Sequence, residues 1–211
     1  QPSSSGAFGL AALDGFDAVL QLKIGEVALR NQRLSGINIG GTLQGGALEL
    51  RDTSVTSLAG AKAMVRGRIE RLANNPTADI TIHIDARNGD RLMALAGIDA
   101  SASLGPTKLD GSLRGDIQDL DVDITLNAMG ARLRTTGNLG LVTSLLRYDV
   151  EVTVDHPNAA AFVARMRGKD AASVSQFGAF AARTTLRGDL SVSDIDAMID
   201  IGAGAVGAKG K

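Results

Sequence analysis

The sequence predicts a mainly β protein, in which stacked antiparallel hairpins form an elongated sheet with two or so short helices. Aliphatic and polar residues alternate in several segments, and Gly or Asn separates those segments at short intervals. A pattern of about 70 residues also recurs along the chain. Because successive side chains of a strand point to opposite faces, the alternation predicts antiparallel strands with one apolar face.

Each predicted strand places its aliphatic side chains on one face. The clearest segments are 79–85, 119–126, 148–155 and 194–201, in which polar residues, mostly acidic, occupy most of the intervening positions. A further apolar row begins near the N-terminus. In chain order, the predicted apolar positions are Phe16, Ala18, Leu20, Leu22, Ile24, Ile80, Ile82, Ile84, Leu120, Val122, Ile124, Leu126, Val150, Val152, Val154, Ile195, Ala197, Ile199 and Ile201.

Turns and helices are predicted from Gly, Asn and Pro. Short hairpin connections are expected at Gly40-Gly41, Gly45-Gly46, Gly60, Asn74-Asn75-Pro76, Gly130 and Gly137. Helices are expected over 88–97, where Asn88 or Asp90 can cap the first turn, and over 155–168, which Pro157 begins and Gly168 ends. The pattern of 169–180 fits either a loop or a short helix.

The elements recur in the same order at a nearly constant interval. Gly130-Ala131 followed by Gly137 lies 70 residues after Gly60-Ala61 followed by Gly67, and the sequence Leu-Arg-Gly-Asp at 113–116 returns at 186–189. Such self-similarity is typical of repeat proteins, whose units cover their faces by stacking. We therefore expect a lead or linker over 1–15 and a β-repeat array over 16–211. Its approximate units are 16–87, 88–157 and a truncated 158–211, which suggests a fragment of a longer protein.

Composition excludes several classes of function. The net charge is −1 and aromatic residues make up 3% of the chain, which argues against nucleic acid as a partner. The absence of Cys excludes disulfides and thiolate chemistry. We find no motif for a catalytic site, a metal site or a cofactor, and we expect that the protein is not an enzyme.

Polar residues that could suggest a site have simpler interpretations. Asp121 and Asp123 share a strand face with a spacing that suits paired carboxylates, but cross-strand Arg or Lys could pair with them. His83 and Asp85 provide too few ligands for zinc. The Arg-Gly-Asp tripeptides at 114–116 and 187–189 occupy equivalent repeat positions, which favours a role in the hairpins over cell adhesion.

The hairpin pattern resembles that of the AsmA family. The segments are LSGINIGGTL at 34–43, LAGAKAMVRGRI at 58–69 and GARLRTTGNL at 130–139, together with 16–29 and 48–50. The resemblance implies a curled, taco-like half-barrel with an apolar groove. It further implies a periplasmic location within a bacterial envelope protein that an N-terminal helix, absent from this sequence, anchors in the inner membrane.

The apolar face must be covered, since burial of each aliphatic side chain is worth roughly 1.5–3 kcal/mol. Either the sheet folds into a sandwich with a dry core, or it curls into a trough that holds an apolar ligand. The resemblance favours the trough, and an aliphatic wall suits acyl chains better than sugars or bases.

We therefore expect a holder or conduit for phospholipid or other acyl-chain lipids between the two membranes, in support of outer-membrane biogenesis. The alternative is a scaffold for insertion of outer-membrane proteins that uses exposed strand edges, with outer-membrane or envelope proteins as partners.

Overall fold

The computed structural model describes residues 15–29, 32–58, 60–96, 103–142, 145–166, 178–189, 191–202 and 204–210. Twelve antiparallel strands form one sheet, and each strand pairs with its neighbours in the sequence. The sheet is open, because β1 and β12 lie at its opposite ends. This curled meander with two short helices confirms the predicted fold class. The predicted lead 1–15 falls outside the described residues except for Gly15.

The strands are 7 to 13 residues long, and each helix spans 8 residues. The strands are β1 (Ala18–Leu29), β2 (Gln32–Gln44), β3 (Ala47–Leu58), β4 (Ala61–Glu70), β5 (Thr77–Ala86), β6 (Thr107–Asp116), β7 (Leu120–Ala128), β8 (Ala131–Val142), β9 (Leu145–His156), β10 (Phe180–Asp189), β11 (Ser193–Ile201) and β12 (Gly204–Gly210). The helices are α1 (Gly89–Ala96) and α2 (Ala159–Met166).

Two predicted turns are wrong, because Gly40-Gly41 lies inside β2 and Gly137 lies inside β8. A Cβ on Gly41 would lie 2.3 Å from the carbonyl oxygen of Glu49 in the neighbouring strand. Glycine is therefore needed there for close approach of two strands. The turn at Gly45-Gly46 does connect β2 to β3, and its positive φ angles of 54° and 72° suit a tight hairpin.

Both helices form where the sequence predicts them, with shorter bounds. Asn88 Oδ1 accepts a hydrogen bond from the backbone of Asp90 at 2.9 Å and begins α1. Asn158 Oδ1 accepts one from Ala161 at 3.0 Å and begins α2. The second helix starts later than 155 because His156 still pairs with Phe180 in the sheet. The predicted stops at Gly97 and Gly168, and residues 169–177, lie outside the described residues.

The internal repeat is visible in the backbone. Gly67 and Gly137 both have a φ of 144°, and each lies against the backbone of the following strand. The first residues of the two helices make equivalent backbone hydrogen bonds. Gly89 N donates to Gly105 O at 2.8 Å, and Ala159 N donates to Gly178 O at 3.0 Å. Positions 70 to 73 residues apart therefore occupy equivalent places in the sheet.

Candidate functional site: the apolar face of the sheet

One row of aliphatic side chains crosses the whole sheet, and we call it the aliphatic row. Each of its members pairs with the next across an antiparallel strand pair, so their side chains share one face. The row contains Ile24, Ile37, Val55, Ala63, Ile84, Leu109, Leu126, Leu133, Val154, Ala182, Ile199 and Val206, one residue from each strand. No polar residue interrupts it.

A second row runs beside the first, and glycines occur in it at intervals. It contains Leu20, Gly41, Leu50, Gly67, Ile80, Leu113, Val122, Gly137, Val150, Leu186, Ile195 and Gly210. In β3 the register shifts between Leu50 and Thr53, which lets Leu50 and Val55 face the same side although they are five residues apart.

The residues between the two rows are smaller in the later strands. From β8 to β12 this central row consists of Thr135, Val152, Thr184, Ala197 and Ala208. Thr53 belongs to the same row, and its buried hydroxyl oxygen has no hydrogen-bond partner.

The apolar face is buried or half-buried in the middle of the sheet and more exposed towards its ends. Val122 and Val150 are 5% and 8% exposed, whereas Leu20 and Ile199 are each 39% exposed and Val206 is 68% exposed. Among the described residues, no large side chain is fully buried. All twelve strands belong to one sheet that is not closed, and the described residues form no second sheet.

The dimensions of the face follow from strand geometry. Twelve strands about 4.8 Å apart span about 53 Å across the sheet. The aliphatic and glycine-containing rows are four residues apart along most strands, which corresponds to about 13 Å. Half of a bilayer's hydrocarbon thickness is about 15 Å, so the wall is longer than one acyl chain.

The predicted positions in the strands lie on this face, including Leu120, whose neighbours across the sheet are Gly115 and Leu139. Phe16 lies before β1 and is 58% exposed, so it is not part of a strand row. The sequence pattern missed the contributions of β2, β3, β4, β6, β8, β10 and β12. Their aliphatic residues alternate with polar ones as well, but Gly and Thr interrupt the apolar series, as Gly111 does in β6.

Both helices follow strands, β5 and β9, that end at the same long rim of the sheet. Phe162 of α2 stacks on His156 and Phe180, with ring centroids 5.3 Å and 5.4 Å away. His156 is buried and holds the entry to α2, because its Nδ1 accepts the backbone N–H of Asn158 at 2.9 Å. Its Nε2 then donates to the carbonyl of Met129 at 3.3 Å. A cavity of about 800 Å³ opens at this rim, lined in part by Phe180 and His156.

The opposite face carries cross-strand ion pairs. Arg134 donates two hydrogen bonds to Asp123, at 3.0 Å and 2.7 Å, and these hold the pKa of that carboxyl below its ordinary value. Arg114 pairs with Asp79 at 3.2 Å, and the repeat-equivalent Arg187 pairs with Asp149 at 2.8 Å. Of the two carboxylates for which we expect a basic partner from the sequence, Asp123 meets Arg134 of the neighbouring strand.

The aspartates of the two Arg-Gly-Asp sequences organise hairpin turns. Asp116 Oδ1 accepts backbone hydrogen bonds from Gln118 and Asp119 at 2.8 Å and 3.1 Å. Asp189 Oδ1 accepts three, from the hydroxyl and backbone of Ser191 and from the backbone of Val192. These hydrogen bonds lower the pKa of both carboxyls.

In the described ranges, no group of three or more His, Asp or Glu side chains could hold a metal ion. The helices found there are too short and too polar to cross a membrane. Comparison of the chain with protein-family models, with curated proteins and with solved structures found no match.

Proposed function

We propose that this chain holds or conducts phospholipid acyl chains along its apolar face, as a periplasmic segment of an AsmA-like protein that supports outer-membrane biogenesis. The observation that carries the proposal is the aliphatic row, which passes through all twelve strands of one open sheet and is exposed towards its ends. The membrane setting comes from the resemblance of the hairpin pattern. The choice of lipid comes from the chemistry of the wall.

An open aliphatic wall favours weak, movable binding. Complete burial of a methylene is worth about 0.8 kcal/mol, and an alkyl chain on one wall buries roughly one side. Ten methylenes would therefore contribute about 4 kcal/mol before the cost of ordering the chain. Since the hydrophobic effect has no directional component, neighbouring positions along the rows have similar free energies. Such a surface allows a lipid to slide along it.

A matched pair of variants tests this proposal. Ile82 lies on the apolar face in the middle of the sheet, and the adjacent Thr81 is exposed on the other face. The protein and its I82D and T81D variants would be incubated with phosphatidylglycerol, and bound lipid would be measured by mass spectrometry after native purification. We expect I82D to bind roughly tenfold less lipid or worse, and T81D to bind like the parent protein.

Circular dichroism provides the folding control. Two further pairs of variants repeat the comparison: V152D with T153D in β9, and I124D with T125D in β7. If all apolar-face variants unfold while their partners stay folded, the rows act as an indispensable core and the conduit proposal fails. Absence of bound lipid from the parent protein would also refute it.

A further inference from the structure

The cavity at the rim that carries the helices has both faces of the sheet in its lining, and we call it the rim cavity. Its volume is about 800 Å³, which suits a small-molecule site, and the ends of seven neighbouring strands, β5 to β11, line it. At these ends Ala131, His156 and Phe180 continue the alternation of the apolar face, whereas Arg132 and Asp155 continue that of the charged face. A ligand in the rim cavity can therefore contact charged groups while its apolar part lies on the apolar face.

One row of side chains on the charged face runs through the rim cavity, and we call it the rim row. Each member pairs with the next across a pair of strands, and every member lines the cavity. The rim row contains Asp85, Lys108, Asn127, Arg132, Asp155, Ala181 and Asp200.

Three charged residues of the rim row are available to a ligand. Lys108 already lies 3.7 Å from Asp85, in an ion pair. Arg132 lies opposite Asp155, but its Nε donates to Asn127 Oδ1 at 3.4 Å instead. Among the described residues, Arg132, Asp155 and Asp200 form no ion pair, and all three are exposed. The cavity therefore offers one guanidinium and two carboxylates.

The spacing of these three groups suits a ligand with one negative and one positive charge. Ala181 lies between Asp155 and Asp200 in the rim row, and neighbouring strands are about 4.8 Å apart. An ammonium group above the small side chain of Ala181 would therefore lie close to both carboxylates. Arg132, on the other side of Asp155, supplies a guanidinium whose donors match the oxygens of a phosphate.

We propose that the rim cavity binds the headgroup of phosphatidylethanolamine, with its phosphate on Arg132 and its primary ammonium between Asp155 and Asp200. This inference rests on the proposed function, because the acyl chains would lie on the apolar face. Leu133 and Val154 of the aliphatic row directly adjoin Arg132 and Asp155 in the sequence, so the chains and the headgroup would meet at the same strand ends.

Phosphatidylglycerol provides the comparison, because it has the same phosphate and no cation. It would leave both carboxylates of the cavity unpaired and bring a net negative charge towards them, which disfavours it. The chain would be incubated with equal amounts of the two lipids, with identical acyl chains, in detergent micelles. Mass spectrometry after native purification would give the ratio of bound lipids. Since ion pairs at exposed sites are weak, we expect a preference of roughly fivefold for phosphatidylethanolamine.

Variants of the two aspartates test which groups select the headgroup. D155N/D200N should lower the preference to within about twofold, and D200N alone should give an intermediate value. D52N/D121N is the matched control, because it removes two exposed carboxylates outside the rim cavity and should keep the parent preference. Circular dichroism would check that each variant is folded.

R132Q tests the phosphate contact. It should weaken binding of both lipids about threefold or more, whereas R147Q, at the other end of β9, should bind like the parent chain. Glycerophosphoethanolamine has the headgroup without acyl chains and should displace bound lipid poorly. Displacement as effective as that by phosphatidylethanolamine would show a site for soluble phosphate esters and overturn the proposal.

Two further outcomes separate this inference from the proposed function. Equal binding of the two lipids by the parent chain, or an unchanged preference in D155N/D200N, overturns the headgroup site and leaves acyl-chain binding intact. Binding of neither lipid by the parent chain overturns both.

Discussion

Replacement of Gly137 by alanine tests how closely the strands of this sheet depend on glycine. Gly137 has a φ of 144°, and an added Cβ would lie 2.1 Å from a carbonyl oxygen of β9. The backbone conformation costs an L-residue about 1–3 kcal/mol. Relief of the overlap would break at least one hydrogen bond of the strand pair, worth about 0.5–1.5 kcal/mol. We therefore expect G137A to lower the free energy of unfolding by about 2–4 kcal/mol.

Alanine substitutions at two other glycines provide comparisons for that experiment. Gly67 has the same φ, and its added Cβ would likewise lie 2.1 Å from a carbonyl oxygen, that of Asp79, so G67A should be destabilised to a similar extent. Gly111 also lies in the sheet, but its added Cβ would make an ordinary contact of 3.5 Å with Ile124 Cγ1. G111A should therefore be neutral or more stable by about 0.4–1 kcal/mol, because alanine restricts the unfolded chain.

Urea denaturation followed by circular dichroism would give the free energies. Because repeat proteins can unfold in parts, hydrogen exchange of β8 and β9 would locate the damage. The reasoning is refuted if G137A unfolds within about 0.5 kcal/mol of the parent protein, a difference typical of neutral surface substitutions. Equal destabilisation by G111A and G137A would refute it as well.

Two further substitutions test polar groups of the sheet. T53V should raise the free energy of unfolding by about 1 kcal/mol, because it removes a buried hydroxyl that has no partner while keeping the branched shape, and the urea midpoint measures this. D189A should be less stable than the parent near neutral pH, because the lowered pKa of Asp189 means that its carboxylate stabilises the folded turn. That contribution is complete above the ordinary aspartate pKa of about 4 and is lost as the pH falls through the lower folded value, so the thermal midpoints of the two proteins should converge in acid. A difference that persists or grows at low pH would contradict this assignment.

Strands with uninterrupted alternation could be predicted from sequence almost residue by residue. In β5, β7, β9 and β11 an aliphatic residue occupies nearly every second position. Because successive side chains of a strand point to opposite faces, this alternation determines which residues lie on the apolar face. Strands such as β6 and β8 carry Gly111, Thr135 or Gly137 at apolar-face positions, so the same signal is weaker. Pairing with regular neighbours then fixes their register.

That the strands form one open sheet could not be predicted from periodicity. A strand in a closed sandwich and a strand in an open trough have the same alternation, because both place every second side chain on an apolar face. The structural role of each glycine could not be predicted from the sequence for a related reason. It serves tight turns at Gly45-Gly46 and close strand approach at Gly41 and Gly137, and only the neighbouring backbone separates the two uses.

The central claim is that acyl chains contact the apolar face and not the charged one. The chain contains no Trp, so one introduced Trp is an unambiguous fluorescent reporter. I82W and T81W place that reporter on opposite faces of the same strand. Both would be titrated with phosphatidylcholine brominated in its acyl chains, since bromine quenches Trp on contact. We predict strong quenching of I82W and little quenching of T81W, whereas equal quenching of the two, or none at position 82, would contradict the account.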